Sequence, residues 1–248
     1  MLILGYGYVP PLSRFIHYYA IMQGVQREYL ADTVAAIHYH DGVGFVPTSR
    51  ALAEDSQKLG RVRVRYSRGL VVHVNYNADK PWKIECDGRS YELPPFGWLA
   101  IKPGEILAYS ALVAGKRVDF MKCPDYIYLN AGEGRASEGP LEVEGAVWLK
   151  RESNRWRLIP CGYLGFWKNF SPPNLPAKCT DSQLANTPGD RGCKHIVLDT
   201  RMLLGKPAAN VRVTARDEAG QATAASSEPL SDQRLKFSAT SVVDYVLH

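Results

Sequence analysis

The chain has 248 residues, of which 46% are hydrophobic and 22% are charged, and its formal net charge is +5. This length and composition are those of an ordinary globular protein with room for two or more modest cores, and they exclude a chain that is disordered throughout. The basic side chains are mixed with acidic ones rather than gathered in a stripe, so we expect no nucleic-acid partner.

The hydropathy pattern predicts no membrane partner. No apolar run approaches the roughly 20 residues that a membrane-spanning helix needs. The apolar start at Met1 lacks the basic region and the length of a signal peptide. The chain as written therefore predicts a cytoplasmic protein, whereas a longer parent chain with a signal peptide would be secreted or periplasmic.

The five cysteines predict no zinc ribbon, because no two of them form a Cys-x-x-Cys pair. Cys179 and Cys193 flank a loop rich in Pro, Gly and Asp. In an oxidising compartment these two thiols would be able to form a disulfide.

The first 60 residues predict an incomplete α/β segment. Residues 2–9 form an apolar run that ends at two prolines, which is typical of a buried strand. A helix is predicted from Arg14, with the hydroxyl of Ser13 as its N-cap. The glycines and the proline of residues 31–53 favour a strand or turn that leads into a loop, and residues 54–60 favour a linker.

Residues 61–131 predict an antiparallel β-sandwich, because short β-branched and aromatic runs alternate with turn signals. The alternation in Arg61–Tyr66 places Val62 and Val64 on one face of a strand and the arginines on the other. Asp87 and Gly88 are typical of a hairpin turn. The predicted strands are 61–66, 70–76, 82–86, 90–93, 96–101, 106–113, 117–122 and 126–129.

A second β-rich module is predicted for residues 140–248. The segment 132–139 is rich in Gly, Glu and Ser and favours a hinge before this module. The predicted strands are 141–150, 155–160, 195–198, 210–216 and 235–245. The fold class is therefore mainly β: a β-sandwich with a short α/β N-terminal piece and a second C-terminal β module.

The order of these features resembles the C-terminal end of a glycoside-hydrolase-like TIM-barrel protein. The residues that carry the resemblance are Gly5-Tyr-Gly7, Arg27-Glu-Tyr29, Tyr39-His-Asp-Gly42, Thr48-Ser-Arg-Ala-Leu52, Tyr66-Ser-Arg-Gly-Leu70, Val74-Asn75 and Leu93-Pro-Pro-Phe-Gly97. The resemblance covers residues 1–130 and implies the last barrel strand and helix followed by a β-sandwich. Catalytic carboxylates on earlier barrel strands would then lie outside this chain.

The densest group of potential metal ligands is His38, His40 and Asp41. On an extended segment the two imidazoles lie on the same side, about 7 Å apart, which suits binding of one divalent ion such as Zn²⁺. A Ca²⁺ ion would instead take oxygen ligands from Asp181, Asp190 and backbone carbonyls. The run is similar to the start of the H-x-H-x-D-H motif of metallo-β-lactamase-like hydrolases, but Val43 stands where the motif has its third His. More distant ligands for the same ion would be His17, His73, His195 or a carboxylate. The alternative is a polar turn whose histidines form hydrogen bonds with backbone carbonyls.

Aromatic side chains are the candidates for ligand contacts, because flat rings with a polar atom are suited to stacking on sugars. The candidates are Trp82, Trp98, Tyr126 and Trp167. Packing in the core is the competing interpretation for each of them. We expect Trp167 to be the most exposed, because it precedes a Pro-rich loop.

These patterns predict a carbohydrate-associated accessory or binding region without a complete active site of its own. A first alternative is a small metal-dependent hydrolase that acts on an ester or lactone through His38, His40 and Asp41. A second alternative is a structural or interaction module. Because one strand and one helix cannot bury each other, we also expect the N-terminal segment to pack on the sandwich, on a separate barrel domain or on a second copy of the chain.

Overall fold

The computed structural model describes residues 12–153, 155–161, 193, 195–216, 221–223, 227–237 and 244–248. The protein is mainly β, which confirms the predicted fold class. It divides into two compact units: Ile21–Pro124, and Met1–Ala20 together with Asp125–His248. Helix α1, Leu12–Leu30, contributes its second half to the first of these units and its first half to the other.

The 21–124 unit contains nine strands. They are β1 (Val34–His40), β2 (Phe45–Pro47), β3 (Arg61–Tyr66), β4 (Val71–Asn75), β5 (Trp82–Cys86), β6 (Arg89–Leu93), β7 (Trp98–Lys102), β8 (Ile106–Val113) and β9 (Lys116–Lys122). A short helix α2 (Thr48–Ala53) and a 3-10 turn (Ser56–Leu59) lie between β2 and β3. The predicted strands from residue 61 to residue 122 are thus confirmed to within two residues at each end.

Seven of these strands form one antiparallel sheet, which we call the ladder, in the order β2–β1–β3–β4–β7–β8–β9. Since side chains alternate across a strand, this register defines two faces. We call the face that carries His38, Arg63 and His73 the inner face, because these three residues lie opposite one another on β1, β3 and β4. The opposite face, which carries Ile37, Val64 and Val72, is the outer face.

The β5–β6 hairpin packs against the inner face. Ring centroids of Trp82 and His73 lie 6.1 Å apart, and those of Tyr91 and Tyr109 lie 5.7 Å apart. The fully buried amide of Asn75 fixes both ends of the hairpin, since its Nδ2 donates to the carbonyls of Lys80, Leu93 and Pro94 at 2.9–3.0 Å. A single β4 side chain therefore anchors the hairpin to the ladder.

The second half of α1 packs against one end of the outer face. Tyr29 stacks on Tyr66 with centroids 6.1 Å apart, and Lys102 Nζ lies 2.7 Å from the carboxylate of Glu28. A Cβ added at Gly24 would lie 1.9 Å from Met121, so the helix approaches the sheet closely at that point. Burial on the sheet explains why the predicted amphipathic helix forms.

The other unit contains the remaining strands. They are β10 (Tyr126–Glu138), β11 (Leu141–Glu152), β12 (Arg155–Cys161), β13 (His195–Asp199), β14 (Val213–Arg216), β15 (Ala222–Thr223), β16 (Ser227–Pro229), β17 (Arg234–Phe237) and β18 (Asp244–Leu247). Helix α3 (Thr200–Leu204) and a 3-10 turn (Ala208–Asn210) follow β13. Strand β11 is central, because β10 pairs along one edge and β12 and β13 share the other.

Two acidic side chains link strands of this unit. Asp244 is 1% exposed and binds the guanidinium groups of Arg157 and Arg216. The carboxylate of Glu142 accepts hydrogen bonds from the ring of His195, at 3.0 Å, and from the guanidinium group of Arg234. The two guanidinium groups bound to Asp244 offset the cost of burying its negative charge.

Two features differ from the sequence-based expectations. The predicted hinge at residues 132–139 is wrong, because β10 continues through residue 138 and pairs with β11 across this segment. Residues 31–60, predicted to be the end of an α/β segment and a linker, supply β1 and β2 to the ladder. The predicted strand at residues 2–9 lies outside the described residues.

No helix in the described part of the chain is long and apolar enough to cross a membrane.

Replacing Asn75 should weaken the 21–124 unit. In Asn75→Ala the carbonyls of Lys80, Leu93 and Pro94 lose the amide group that they share as donor, and we expect the free energy of unfolding to fall by about 2–4 kcal/mol. Asn75→Asp keeps the size but removes both N–H donors, so it should destabilise at least as much. Urea denaturation measures the effect, with the exposed Asn210→Ala as the control. Equal stability of Asn75→Ala and Asn210→Ala would contradict the anchoring role.

Candidate functional site

The 21–124 unit gathers imidazole, aromatic and guanidinium groups on its inner face. We call this group the inner-face cluster; it consists of His38, His40, Phe45, Arg63, His73 and Trp82. Strands β1, β2, β3 and β4 supply the first five residues and the β5–β6 hairpin supplies Trp82. His73 and Trp82 are buried, and the other four are half-buried. The cluster therefore has a buried floor and a partly accessible rim.

Edge-to-face ring contacts hold the cluster together. The ring of His40 lies 5.3 Å from that of Phe45 and 5.6 Å from that of Trp82. Phe45 and Trp82 are 5.9 Å apart. The guanidinium carbon of Arg63 lies 3.9 Å from the centre of the Phe45 ring, within the range of a cation–π interaction. The short strand β2 therefore positions Arg63 by presenting an aromatic face to it.

The histidines of the cluster are neutral near pH 7. Burial, and secondarily the charge of Arg63, lowers the pKa of His73 to about 4. Burial and the nearby Arg63 also lower the pKa of His38, and burial and Arg61 lower that of His40. The positive charge of this region therefore resides on the arginines.

Asp41 forms a backbone turn beside the cluster. Its Oδ1 accepts hydrogen bonds from the backbone N–H groups of Val43 and Gly44, both at 2.8 Å. These two bonds lower the pKa of Asp41. In the same turn, Nδ1 of His40 accepts from the backbone N–H of Gly42 at 3.1 Å. These contacts form a polar turn as in the alternative interpretation, but His40 accepts from a backbone N–H group instead of donating to a carbonyl.

Two features bear on the hypothesis of a metal site: the number of potential ligands that lie together and the charge of the neighbouring side chains. Within the described residues no group of three or more His, Cys, Asp or Glu side chains is arranged to hold a metal ion. Arg63 lies on the same face as His38, and its positive charge opposes a divalent cation there. A metal site at His38, His40 and Asp41 stays a prediction, and the groups around these residues suit an anion better.

The four predicted ligand-contact residues fall in different places. Trp82 is 3% exposed and forms part of the cluster floor. Tyr126 is buried in the other unit, where its hydroxyl donates to the carbonyl of Ala20 at 2.7 Å. Trp98 is half-buried on the outer face of β7. Trp167 lies outside the described residues. Both Trp82 and Tyr126 thus have core positions, which was the competing interpretation.

Two cluster members, Phe45 and Arg63, were not identified from the sequence, and His73 was considered only as a distant metal ligand. The alternation in β3 did place Arg63 on the face opposite Val62 and Val64. It carried no information on the neighbouring strands, and the register of β1, β3 and β4 decides which side chains meet.

The outer face carries a second group of aromatic residues. Tyr39, Val62, Val74 and Trp98 lie opposite one another on β1, β3, β4 and β7, and we call them the outer-face row. All four are half-buried. Beyond the end of β4, Tyr76 is 46% exposed, and burial, with a smaller contribution from the nearby Tyr39, raises the pKa of Tyr76. This row is a partly accessible aromatic and aliphatic surface.

Cys86, Cys161 and Cys193 are free thiols. Cys123, Cys161 and Cys193 are buried and Cys86 is half-buried. Burial raises the pKa of Cys161 and of Cys193 to about 12, so neither is a reactive thiolate near pH 7. Cys193, one of the two thiols expected to pair in an oxidising compartment, is not in a disulfide in this structure, and Cys179 lies outside the described residues.

No protein-family model, curated protein or solved structure matches this chain. The functional interpretation therefore rests on the two faces of the 21–124 unit.

The buried imidazole of His73 should make stability depend on pH. The unfolded chain takes up a proton near pH 6.5, whereas the folded chain takes it up only near pH 4. His73 therefore contributes no penalty above pH 6.5, and stability falls as the pH drops from 6.5 to about 4, by up to about 3 kcal/mol.

Denaturation at a series of pH values tests this expectation. His73→Phe keeps a ring between Phe45 and Trp82 but cannot bind a proton. Its stability should fall less steeply between pH 6.5 and 4 than that of the unmodified protein, while His248→Phe, at an exposed position, should leave the slope unchanged. Identical slopes for all three proteins would refute the assignment.

Proposed function

We propose that this chain is a carbohydrate-binding accessory module that binds its ligand through the outer-face row without catalysing a reaction. The observation that carries the proposal is the alignment of Tyr39 and Trp98 on one partly accessible face, with Tyr76 beside them. Aromatic rings offer a large apolar area with a polar edge, and the apolar faces of sugar rings stack on such surfaces.

The dimensions of the row support an extended ligand. Tyr39 and Trp98 are separated by two intervening strands, which corresponds to about 14 Å at the usual strand spacing. Val62 and Val74 lie between them and provide a flat floor. An oligosaccharide lying across the strands would contact both aromatic ends. A rigid sheet holds these side chains in place before binding, which reduces the entropy lost on association.

The surroundings of Trp98 support a rigid platform. Opposite Trp98 on β8 lies Ser110, whose hydroxyl hydrogen-bonds to the carboxylate of Asp119. Arg117 donates to Ser110 at 2.8 Å and to the carbonyls of Pro95 and Phe96. This network ties β8 and β9 to the turn that precedes Trp98, so the position of the indole is well defined.

The resemblance of residues 1–130 to the C-terminal end of glycoside-hydrolase-like proteins supports the same class of ligand. A β-sandwich that follows a catalytic barrel would serve as an accessory region. On this proposal the partner is a carbohydrate, and hydrolysis belongs to a catalytic domain outside this chain.

A glycan panel followed by calorimetry tests the proposal. Removing the indole in Trp98→Ala should weaken binding of the best glycan about tenfold, because one aromatic stacking contact contributes about 1 kcal/mol or more. Trp156→Ala, a half-buried tryptophan of β12 in the other unit, is the matched control and should bind normally. Trp167→Ala tests the residue predicted from the sequence to be most exposed.

The outcome separates the alternatives. A panel without a bound glycan, or equal affinity in Trp98→Ala and the control, would overturn the proposal. Stoichiometric metal with ester or lactone hydrolysis that is lost in His40→Ala would favour the hydrolase alternative instead.

A further inference from the structure

Strand β3 places Arg61, Arg63 and Arg65 on the inner face without acidic partners. None of the three forms an ion pair with a carboxylate in the part of the chain that the structure describes. Two half-buried arginines of the other unit, Arg157 and Arg216, are by contrast paired with the carboxylate of Asp244. Arg61 and Arg63 are half-buried. Partly buried positive charges without a counter-charge are rare, because burial is costly for an unpaired ion.

Several buried polar atoms of the same face also have no hydrogen-bond partner in the described structure. They are Nε of Arg61, Nε of Arg63, Nδ1 of His38 and Nδ1 of His73. His73 is only 5% exposed. His38, Arg63 and His73 lie directly opposite one another on three adjacent strands, and Arg61 is two residues from Arg63. The unsatisfied groups therefore form one contiguous set.

This set matches the chemistry of an oxyanion. Two guanidinium groups supply positive charge and N–H donors, and each of the two neutral imidazoles supplies one further donor when its Nδ1 carries the proton. Phe45 holds Arg63 in place through the cation–π contact at 3.9 Å. Asp41, the nearest acidic neighbour of His40 in the sequence, is occupied by the backbone N–H groups of Val43 and Gly44. Guanidinium groups bind carboxylate, sulfate and phosphate with paired N–H donors.

We propose that the inner face of the 21–124 unit binds the oxyanion group of a small acidic ligand through Arg61, Arg63, His38 and His73. The arginines lie along one short strand, with successive members about 7 Å apart. Because the β5–β6 hairpin covers part of this face, a single acidic group suits the site better than a polyanion. The site lies on the face opposite the outer-face row, so it does not depend on glycan binding there.

Calorimetric titration at low ionic strength tests the site with three probes: sodium glucuronate, sodium sulfate and glucose. We expect an oxyanion to bind and glucose not to bind at this site. Affinity should fall at least tenfold in Arg63→Gln and also in Arg61→Gln. Lys83→Gln makes the same change in charge at an exposed position of the β5–β6 hairpin and should bind normally.

The probes and variants identify the ligand class. If glucuronate binds and sulfate does not, the ligand group is a carboxylate. If sulfate binds and glucuronate does not, the ligand group is a tetrahedral oxyanion such as a sulfate or phosphate group. The affinity should fall as sodium chloride is raised, because the interaction is electrostatic. Trp98→Ala should leave oxyanion binding unchanged, which separates this site from the proposed glycan surface.

Two results would overturn the inference. The first is the absence of binding by either oxyanion to the folded protein. The second is equal affinity in Arg61→Gln, Lys83→Gln and the unmodified protein. Arg61→Gln keeps the test decisive if Arg63→Gln fails to fold, because among the described residues Arg61 makes no ring contact comparable to that of Arg63 with Phe45.

Discussion

The buried amide of Asn75 is the interaction on which the arrangement of the 21–124 unit depends. Through three carbonyls it joins β4 to the start and the end of the β5–β6 hairpin. This contact keeps Trp82 of the hairpin against His73 and Phe45 of the ladder. A polar side chain with no exposure thus determines where the aromatic floor of the inner-face cluster lies.

The ladder separates two kinds of surface chemistry. The inner face combines unpaired arginines with neutral histidines, and the outer face carries a half-buried aromatic and aliphatic row. Because side chains alternate along a strand, neighbours such as His38 and Tyr39, or Arg63 and Val62, serve opposite faces. Strands β1 and β3 therefore each contribute residues to both proposed sites. The other unit compensates its buried carboxylate of Asp244 with two arginines, in contrast to the unpaired arginines of β3.

The departures from the sequence-based expectations have physical causes. Gly132 and Gly134 suggested a hinge, yet the register shift between Asn130 and Arg135 accommodates these residues within a long strand. Such an irregularity is a common use of glycine in a strand. Tyr126 and Trp82 suggested ligand contacts because of their residue type. Both are buried in the structure, because other parts of the chain pack against their rings. Asp41 suggested a metal ligand, while its oxygen closes a local turn with Val43 and Gly44.

The sequence by itself determined the mainly β class, most strand bounds in the 21–124 unit, the hairpin turn at Asp87 and Gly88, and the two-sided character of β3. These features are local, since they follow from alternation and turn residues within a few positions. Only the tertiary structure decided that His38, Arg63, His73 and Trp82 meet, and that the arginine side of β3 is the one the hairpin covers. Such contacts depend on the register between strands far apart in the chain, where a shift of one residue would exchange the two faces.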